Sequence, residues 1–358
     1  MENSRVKKLR KEMQRMHFDG FLVTDPVNRC YMSGFTGDDG VLLITEQDQF
    51  LITDWRFERQ VEHDCPTWQL VLTRDYLGET CRLAQKKHLS ALAFESTINY
   101  DNYSFLDENF PADLAAVSAV IESQRSIKSE AEVNIIRESC QLAGRGYQAV
   151  LEFLQQEKDI TSITEHDVAV FLDQFMQKHG AEDKSFPTIV ASGERSTWPH
   201  AMASSASLKP QTMVTLDFGY FLHKYTSDVT RTFAIGEQSK EFYQLYQIVQ
   251  AAQKATIEAI KPGISGKQLD QIGRQIITQA GYGKYFNHGM GHGIGLAIHE
   301  LPAVGAGSQD VLQTGQIVTI EPGAYVPDVG GVRIEDDILV TQAGYEILTD
   351  FNRDYREL

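Results

Sequence analysis

Three histidines, His288, His292 and His299, fall in the stretch F-N-H-G-M-G-H-G-I-G-L-A-I-H-E (286–300), interleaved with Gly289, Gly291, Gly293 and Gly295. Imidazole can ligate a metal or carry a proton near neutral pH. Glycine at alternate positions lets the backbone pass close to a bound group, and each one weakens an ordinary helix or packed strand. The stretch is therefore expected to hold its histidines out rather than pack them in. It is not a dinucleotide fingerprint, because the G-x-G-x-x-G spacing meets Ile294 and Leu296 where glycine is needed. Nor is it a zincin, since His299-Glu300 has no second histidine after Leu301, Pro302 and Ala303.

Carboxylates supply the partners. Val214–Gly219 and Tyr225–Phe233 alternate as a hairpin would, so that Asp217 and Asp228 face each other from adjacent strands. Such a pair repels unless a cation or a shared proton lies between; otherwise the two are surface acids. An apolar run stops abruptly at Glu321, and Gly330–Asp337 starts another with Arg333 and Glu335 on one face. With His292 there are five donors: Asp217, Asp228, His292, Glu321 and Glu335. That is too many for one zinc and suits two hard-to-borderline cations about 3.5–4 Å apart with bridging carboxylates.

The elements that must position these residues follow from periodicity. Residues 1–125 alternate short helices with the apolar runs Phe21–Thr24, Val41–Ile44, Phe50–Ile52 and Ala91–Phe94, the pattern of a small α/β domain without a cluster of acids or bases. The pattern changes near Gln124–Ser129. Val133, Ile136, Cys140, Ala143, Tyr147, Val150 and Leu154 mark a long amphipathic helix. An imperfect capping box, Thr164-x-x-Asp167, then opens a second helix with Val168, Phe171, Leu172 and Phe175 on its buried face, closed by Gly180. The same order returns one hundred and one positions later. Phe242, Leu245, Val249 and Ala252 lead to Ser265-x-x-Gln268, then Leu269, Ile272, Ile276 and Gly281. An internal duplication with a site between its halves accounts for the repeat; chance similarity of two helix pairs is the alternative.

Composition narrows the function classes. The 358 residues allow two domains, and 42% hydrophobic and 23% charged content is ordinary for a globular protein. A net charge of −16 disfavours nucleic acid and anionic membrane as partners. Cys30, Cys65, Cys81 and Cys140 show no metal-knuckle or disulfide spacing. No signal-peptide pattern or membrane-length apolar run is present, which points to the cytoplasm.

Taken together, the motifs resemble those of the pita-bread metallopeptidases of family M24, in their proline-specific branch of Xaa-Pro aminopeptidases and Xaa-Pro dipeptidases (prolidases). The resemblance spans nearly the whole chain. It is carried by S-G-E-R-S-T-W-P-H (192–200), L-D-F-G (216–219), S-D-V-T-R-T (227–232), G-H-G-I-G-L (291–296), I-H-E (298–300), I-E-P-G (320–323) and G-G-V-R-I-E-D-D (330–337). It implies a creatinase-like α/β domain over 1–125 and an α+β pita-bread catalytic domain with internal pseudo-duplication over 126–358. It also implies two divalent cations per chain, Mn²⁺ first with Co²⁺ or Zn²⁺ as alternatives. Asp217 would hold one ion, Asp228 and Glu335 would bridge both, and His292 and Glu321 would complete the second. His200 and His299 would contact the substrate and steady the transition state, His288 would line the pocket, and Arg333 would sit beside the bridging glutamate. A metal-bridging hydroxide would attack the carbonyl before proline, with Glu321 passing the proton to the leaving nitrogen. A homodimer is implied as well.

Departures from the family pattern cluster at Trp198 and Ala201, which flank His200, and at Trp55 after L-I-T-D (51–54). Y-M-S-G-F-T-G (31–37) and L-I-T-D look like the aminopeptidase P type, so the expected activity is release of the first residue from Xaa-Pro peptides. An indole at 198 could instead close the groove to all but dipeptides. Methionine aminopeptidase activity fits less well, because of the large leading domain. A metal-free relative that binds peptide or hydrolyses creatine would have lost ligands that this chain keeps.

Overall fold

The structure, a computed structural model, describes residues 4–358 and divides into two compact units, Met1–Arg125 and Ser126–Leu358. The first unit is built on a six-stranded sheet. Its strands run in the order Gln69–Leu72, Gln49–Thr53, Val41–Thr45, Gly20–Val23, Ala91–Glu95, Asp113–Val117, with antiparallel pairing at the centre and parallel pairing toward both edges. Val41–Thr45 and Gln49–Thr53 are buried at every position, which is why they read as unbroken apolar runs rather than alternating ones. Helix Pro26–Ser33 begins with a proline after the Asp25 cap and ends on Gly34 at φ 83°, the left-handed conformation glycine tolerates best. Trp55 stands 60% exposed in this unit.

The second unit repeats one motif twice. Helix Glu130–Gln156 starts with a reciprocal capping box between Ser129 and Glu132, and all seven residues of its apolar stripe are buried. Helix Glu165–Lys178 is capped by Thr164, and Asp167 completes that box, its carboxylate accepting the Thr164 N–H at 2.8 Å. The shorter acid thus serves as fully as Glu or Gln would. Val168 and Leu172 are buried, whereas Phe171 and Phe175 are half-buried at the edge of the core. Lys240–Glu258 and Gly266–Gln279 form the second pair, with Ser265 and Gln268 closing the same reciprocal box. Gly180 (φ 105°) and Gly281 (φ 89°) follow the two matched helices. Isolated bridges tie Thr164 to Ser207 and Ser265 to Val311, so each second helix is stitched to its own following loop in the same way.

Each helix pair covers a sheet. The first sheet is Val229–Ile235, Thr212–Phe218 and Ile189–Ser192, antiparallel throughout. The second runs Glu300–Val304, Gly291–Gly293, Ile317–Ile320, Asp336–Thr341, Gly344–Ile347. Two expectations change here. Asp217 and Asp228 are not directly opposed: Asp217 pairs with Thr230, and Asp228 precedes its strand. Residues between them leave the sheet, and Tyr220–Leu222 and Tyr225–Thr226 pair with each other while Asp183–Lys184 joins the first of them. The glycine-rich stretch does contain a strand, Gly291–Gly293, wedged between two others. A Cβ at Gly291 would lie 1.9 Å from the Thr319 carbonyl oxygen and one at Gly293 2.2 Å from that of Leu301. The glycines therefore serve close packing of backbone on backbone around His292.

Candidate metal and catalytic site

All nine residues singled out as site candidates line one cavity of about 320 Å³: His200, Asp217, Asp228, His288, His292, His299, Glu321, Arg333 and Glu335. Phe186, Ile189, Pro199, Ile298 and Tyr325 supply much of the remaining wall. A cavity of this size is at the small end of ligand sites.

The first half of the repeat contributes the aspartates. Asp217 comes from the central strand of the first sheet, and Asp228 is fixed by its backbone N–H, which donates to Asp337 Oδ2 at 2.9 Å. His292, Glu321 and Glu335 come from the second half. Glu321 follows the Ile317–Ile320 strand and donates its N–H to the Met290 carbonyl at 2.8 Å. Glu335 lies between two strands rather than within one; its N–H reaches the Thr230 carbonyl at 3.1 Å, and its Oε2 accepts the Thr230 hydroxyl at 2.6 Å. Arg333, at the end of its strand, donates to Asp217 Oδ2 (2.6 Å), Tyr325 OH (2.7 Å), Thr230 Oγ1 (3.1 Å) and the Pro199 carbonyl (3.2 Å).

The donor set fits cations. Among the described residues, Asp228, His292 and Glu335 place one ligand atom each within 4.8 Å of one another. His292 Nε2 lies 3.5 Å from Glu321 Oε1 and 3.6 Å from Asp228 Oδ2, about the spacing of donors that share one cation at bonds of roughly 2.1 Å. Its Nδ1 is 3.0 Å from the Gly293 carbonyl, which can only accept, so the proton sits there and the Nε2 lone pair faces the carboxylates. Among the described residues Asp217 Oδ1 is buried without a hydrogen-bond donor, although its Oδ2 is held by Arg333. A buried carboxylate oxygen without a donor, in a cavity shared with three other acids, calls for a cation or a proton.

The electrostatics agree. Burial pushes the carboxyl of Asp228 well above the usual range, helped by Glu335 and Asp217. Burial does the same to Glu335, with Glu321 and Asp217 adding repulsion. Glu321 is raised to about 7 by burial, with Arg333 pulling the other way. Four carboxylates thus crowd one guanidinium, and the deficit is what divalent cations would fill. Burial lowers the His292 imidazole, favouring the neutral ligand form. His288 is pushed down to about 4 by burial and by Arg333. Its Nδ1 donates to the Gly289 carbonyl (2.8 Å) and its Nε2 meets Tyr325 OH (3.0 Å). His299, exposed on its loop, packs edge-on to His292 with ring centroids 4.4 Å apart, and burial and that neighbour lower its pKa. His200 is exposed at the cavity mouth.

Trp198 does not wall the cavity. Its ring lies under the Arg195 guanidinium at 5.2 Å, and it is 53% exposed. Sequence reading missed Thr230, Tyr325 and Asp337, which orient the others. Thr230 and Asp337 lie within quoted motifs, but a hydroxyl or a second acid beside a ligand carries no periodic signal.

Residues 134–342 match metallopeptidase family M24, and residues 5–127 match the creatinase/prolidase N-terminal domain. The chain belongs to metallopeptidase family M24. Its structure superposes on that of an Xaa-Pro dipeptidase from Bacillus anthracis with a TM-score of 0.95 at 38% identity, over 99% of both chains. The Xaa-Pro dipeptidase of Pyrococcus furiosus is 35% identical over 98% of this chain and 99% of its own length. An X-Pro aminopeptidase from Thermotoga maritima MSB8 aligns with a TM-score of 0.87 at 31% identity, over 97% of this chain and all of that one (100%). This M24 peptidase is therefore a hydrolase, with a creatinase-type amino-terminal domain and a pita-bread catalytic domain. Its family implies divalent metal at a site such as the one described. No helix among the described residues is long and apolar enough to cross a membrane.

Proposed function

We propose that this M24 peptidase is a dinuclear-metal exopeptidase that hydrolyses the bond before proline, with Xaa-Pro dipeptides as its preferred substrates. The observation that carries the reading is the convergence of three buried carboxylates, the half-buried Glu321 and the His292 imidazole on a single small cavity, with Asp217 Oδ1 lacking a hydrogen-bond partner among the described residues. Asp217, Asp228, His292, Glu321 and Glu335 would hold two divalent cations, with Mn²⁺ as the first candidate. When bound, the ions would lower the pKa of water and polarise the scissile carbonyl.

The chain's own residues then divide the work. Glu321, between His292 and Thr319, is placed to take the proton of the attacking water and return it to the leaving nitrogen. Proline's nitrogen forms a tertiary amide without an N–H, so no backbone donor is available for the enzyme to grip. His200 and His299, exposed on two loops at the mouth, are placed to meet the substrate carbonyl as charge develops on it. His288 is turned by Tyr325 to line the same wall, and Arg333 holds Asp217 in place. Residues 1–125 and 126–358 serve as its two domains, the enzyme works in the cytoplasm, and the family resemblance favours a homodimer.

Substrate length is where weight shifts from the sequence reading. The motifs at 31–37 and 51–54 favour longer peptides, but the two Xaa-Pro dipeptidases compared above align at 38% and 35% identity, against 31% for the X-Pro aminopeptidase. The cavity of about 320 Å³ also suits a short substrate. Release of the first residue from longer Xaa-Pro peptides is the second reading. Comparing kcat/KM for one Xaa-Pro dipeptide with the same residues extended by two decides between them. A dipeptide advantage of more than about tenfold, ~1.4 kcal/mol of transition-state binding, supports the first reading, and the reverse preference supports the second.

A further inference from the structure

Neither Glu165 nor Arg195 lines the cavity, yet both are tied to the loop that carries His200. Glu165 opens the Glu165–Lys178 helix, and its side chain is fully buried. Its Oε1 accepts the N–H and the hydroxyl of Ser192, both at 2.8 Å. Its Oε2 accepts Arg195 Nε (2.9 Å), the Ser204 hydroxyl (2.6 Å) and the Ser204 N–H (3.2 Å). One carboxylate thus gathers five donors from the two ends of residues 192–204. A neutral amide in its place would turn its NH₂, at either oxygen position, toward a backbone N–H that can only donate, Ser192 on one side or Ser204 on the other.

Arg195 carries the same tie inward. Its Nη2 donates to the Met202 carbonyl at 2.6 Å, and its guanidinium carbon sits 5.2 Å from the centre of the Trp198 ring. Trp198 and Met202 stand two residues before and two residues after His200. A single guanidinium, neutralised from behind by one buried carboxylate, therefore grips both flanks of His200 and leaves the imidazole open to the cavity. Two further contacts hold the loop against the second half of the repeat: Gly331 N–H to Ser196 Oγ (2.9 Å) and Arg333 Nη1 to the Pro199 carbonyl (3.2 Å).

We infer that Glu165 and Arg195 are positioning residues for the hydrolysis, acting through His200 by fixing the loop from which its imidazole reaches the substrate. This rests on the reading that His200 meets the substrate. A group that must meet developing charge loses most of its worth when it is free to wander by an ångström.

The test is a double-mutant cycle on an Xaa-Pro dipeptide with Mn²⁺ present. Arg195→Gln and His200→Ala are measured alone and combined, with bound metal and circular dichroism recorded for each. Arg195→Gln should lower kcat at least tenfold with metal content unchanged. In the His200→Ala background the same change should cost less than twofold, because the group it positions is gone. Arg195→Lys keeps the charge for Glu165 but cannot span to Met202. It should show an intermediate loss, with the same collapse when His200 is absent, and it serves if the glutamine variant folds poorly. Losses that multiply in the double variants would overturn the inference, as would wild-type kcat in Arg195→Gln, and either result leaves the proposed hydrolysis intact. Wild-type kcat in His200→Ala would overturn both the role of His200 and its clamp.

Discussion

The two halves of the catalytic unit share a scaffold and differ in how they use it. Each has a long helix, a second helix opened by a reciprocal capping box, a glycine in left-handed conformation after that helix, and a sheet. Each also sends a loop with an exposed histidine to the cavity mouth, His200 from one and His299 from the other. The loops are anchored differently. Glu165 gathers the first loop, whereas the matching position in the second half is Gly266, where even a Cβ would lie 2.1 Å from the Ala303 carbonyl oxygen. There the anchor comes from within the loop's own edge. Buried Glu300, next to His299, accepts the Ala297 N–H at 3.0 Å and pairs with buried Lys128 at 3.2 Å. The donors differ as well, two aspartates against one histidine and two glutamates. Backbone architecture persists through a duplication while side chains are reassigned, and the site exists only where the halves meet.

That view can be broken first by removing one proposed ligand from each half. Asp228→Ala and Glu335→Ala should each abolish nearly all turnover and reduce bound metal. If either keeps more than about a tenth of wild-type kcat, a loss below ~1.4 kcal/mol, the halves do not share one centre. The next effect is smaller and should be symmetric. His200→Ala and His299→Ala should each lose roughly 10²-fold in kcat while retaining metal, the scale of one oriented transition-state contact. A variant that loses metal instead would move that histidine into the ligand set.

Gly266→Ala sharpens the contrast between the anchors. The added methyl meets backbone that cannot swing aside, so the variant should lose about 1–3 kcal/mol of stability, a fall in Tm of several degrees. An unchanged Tm would mean that the close approach at Gly266 is not what forces the second half to anchor its loop elsewhere.

The mildest effect is a slope with pH. The Glu321 carboxyl is raised by burial from the ordinary 4.5 to about 7, and Asp228 and Glu335 are raised in the same direction. Between those pH values these carboxyls bind more protons in the folded, metal-free protein than in the unfolded chain, so their contribution to stability falls as pH rises. The stabilising contribution is full below about 4.5 and lost as pH climbs through about 7. Below about 6.5 the lowered imidazoles of His288, His292 and His299 act in the opposite direction, so metal-stripped protein should show a falling Tm from about pH 6.5 to 8, and saturation with Mn²⁺ should flatten or reverse it. A metal-stripped Tm that rises over that range would contradict the crowding of carboxylates.

Much of this was legible in the chain because it depends on period and residue type. The helix stripe from Val133 to Leu154, the caps at Thr164 and Ser265, and most of the nine residues that line the cavity carry such a signal, whereas His200 was reached only through the family motif at 192–200. What escaped depends on three-dimensional offset. Asp228 sits beyond its strand because residues 220–226 join another sheet, a pairing with no local mark. The Gly291–Gly293 strand hid because glycine weakens a strand except where neighbouring backbones must come this close. Thr230 links Glu335 to Arg333 and Tyr325 links Arg333 to His288 through hydroxyls, which pattern reading does not rank. The indole of Trp198 packs under the Arg195 guanidinium instead of walling the cavity, a rotamer choice that residue type and period do not carry.

The proposed dinuclear metal centre draws its ligands from both halves of the repeat. Metal-stripped protein titrated with Mn²⁺ by calorimetry, with the bound metal of the dialysed product measured by elemental analysis, tests it most directly. Two ions should bind per chain, with hydrolysis of an Xaa-Pro dipeptide returning as they do. A stoichiometry of one, or none, would contradict it.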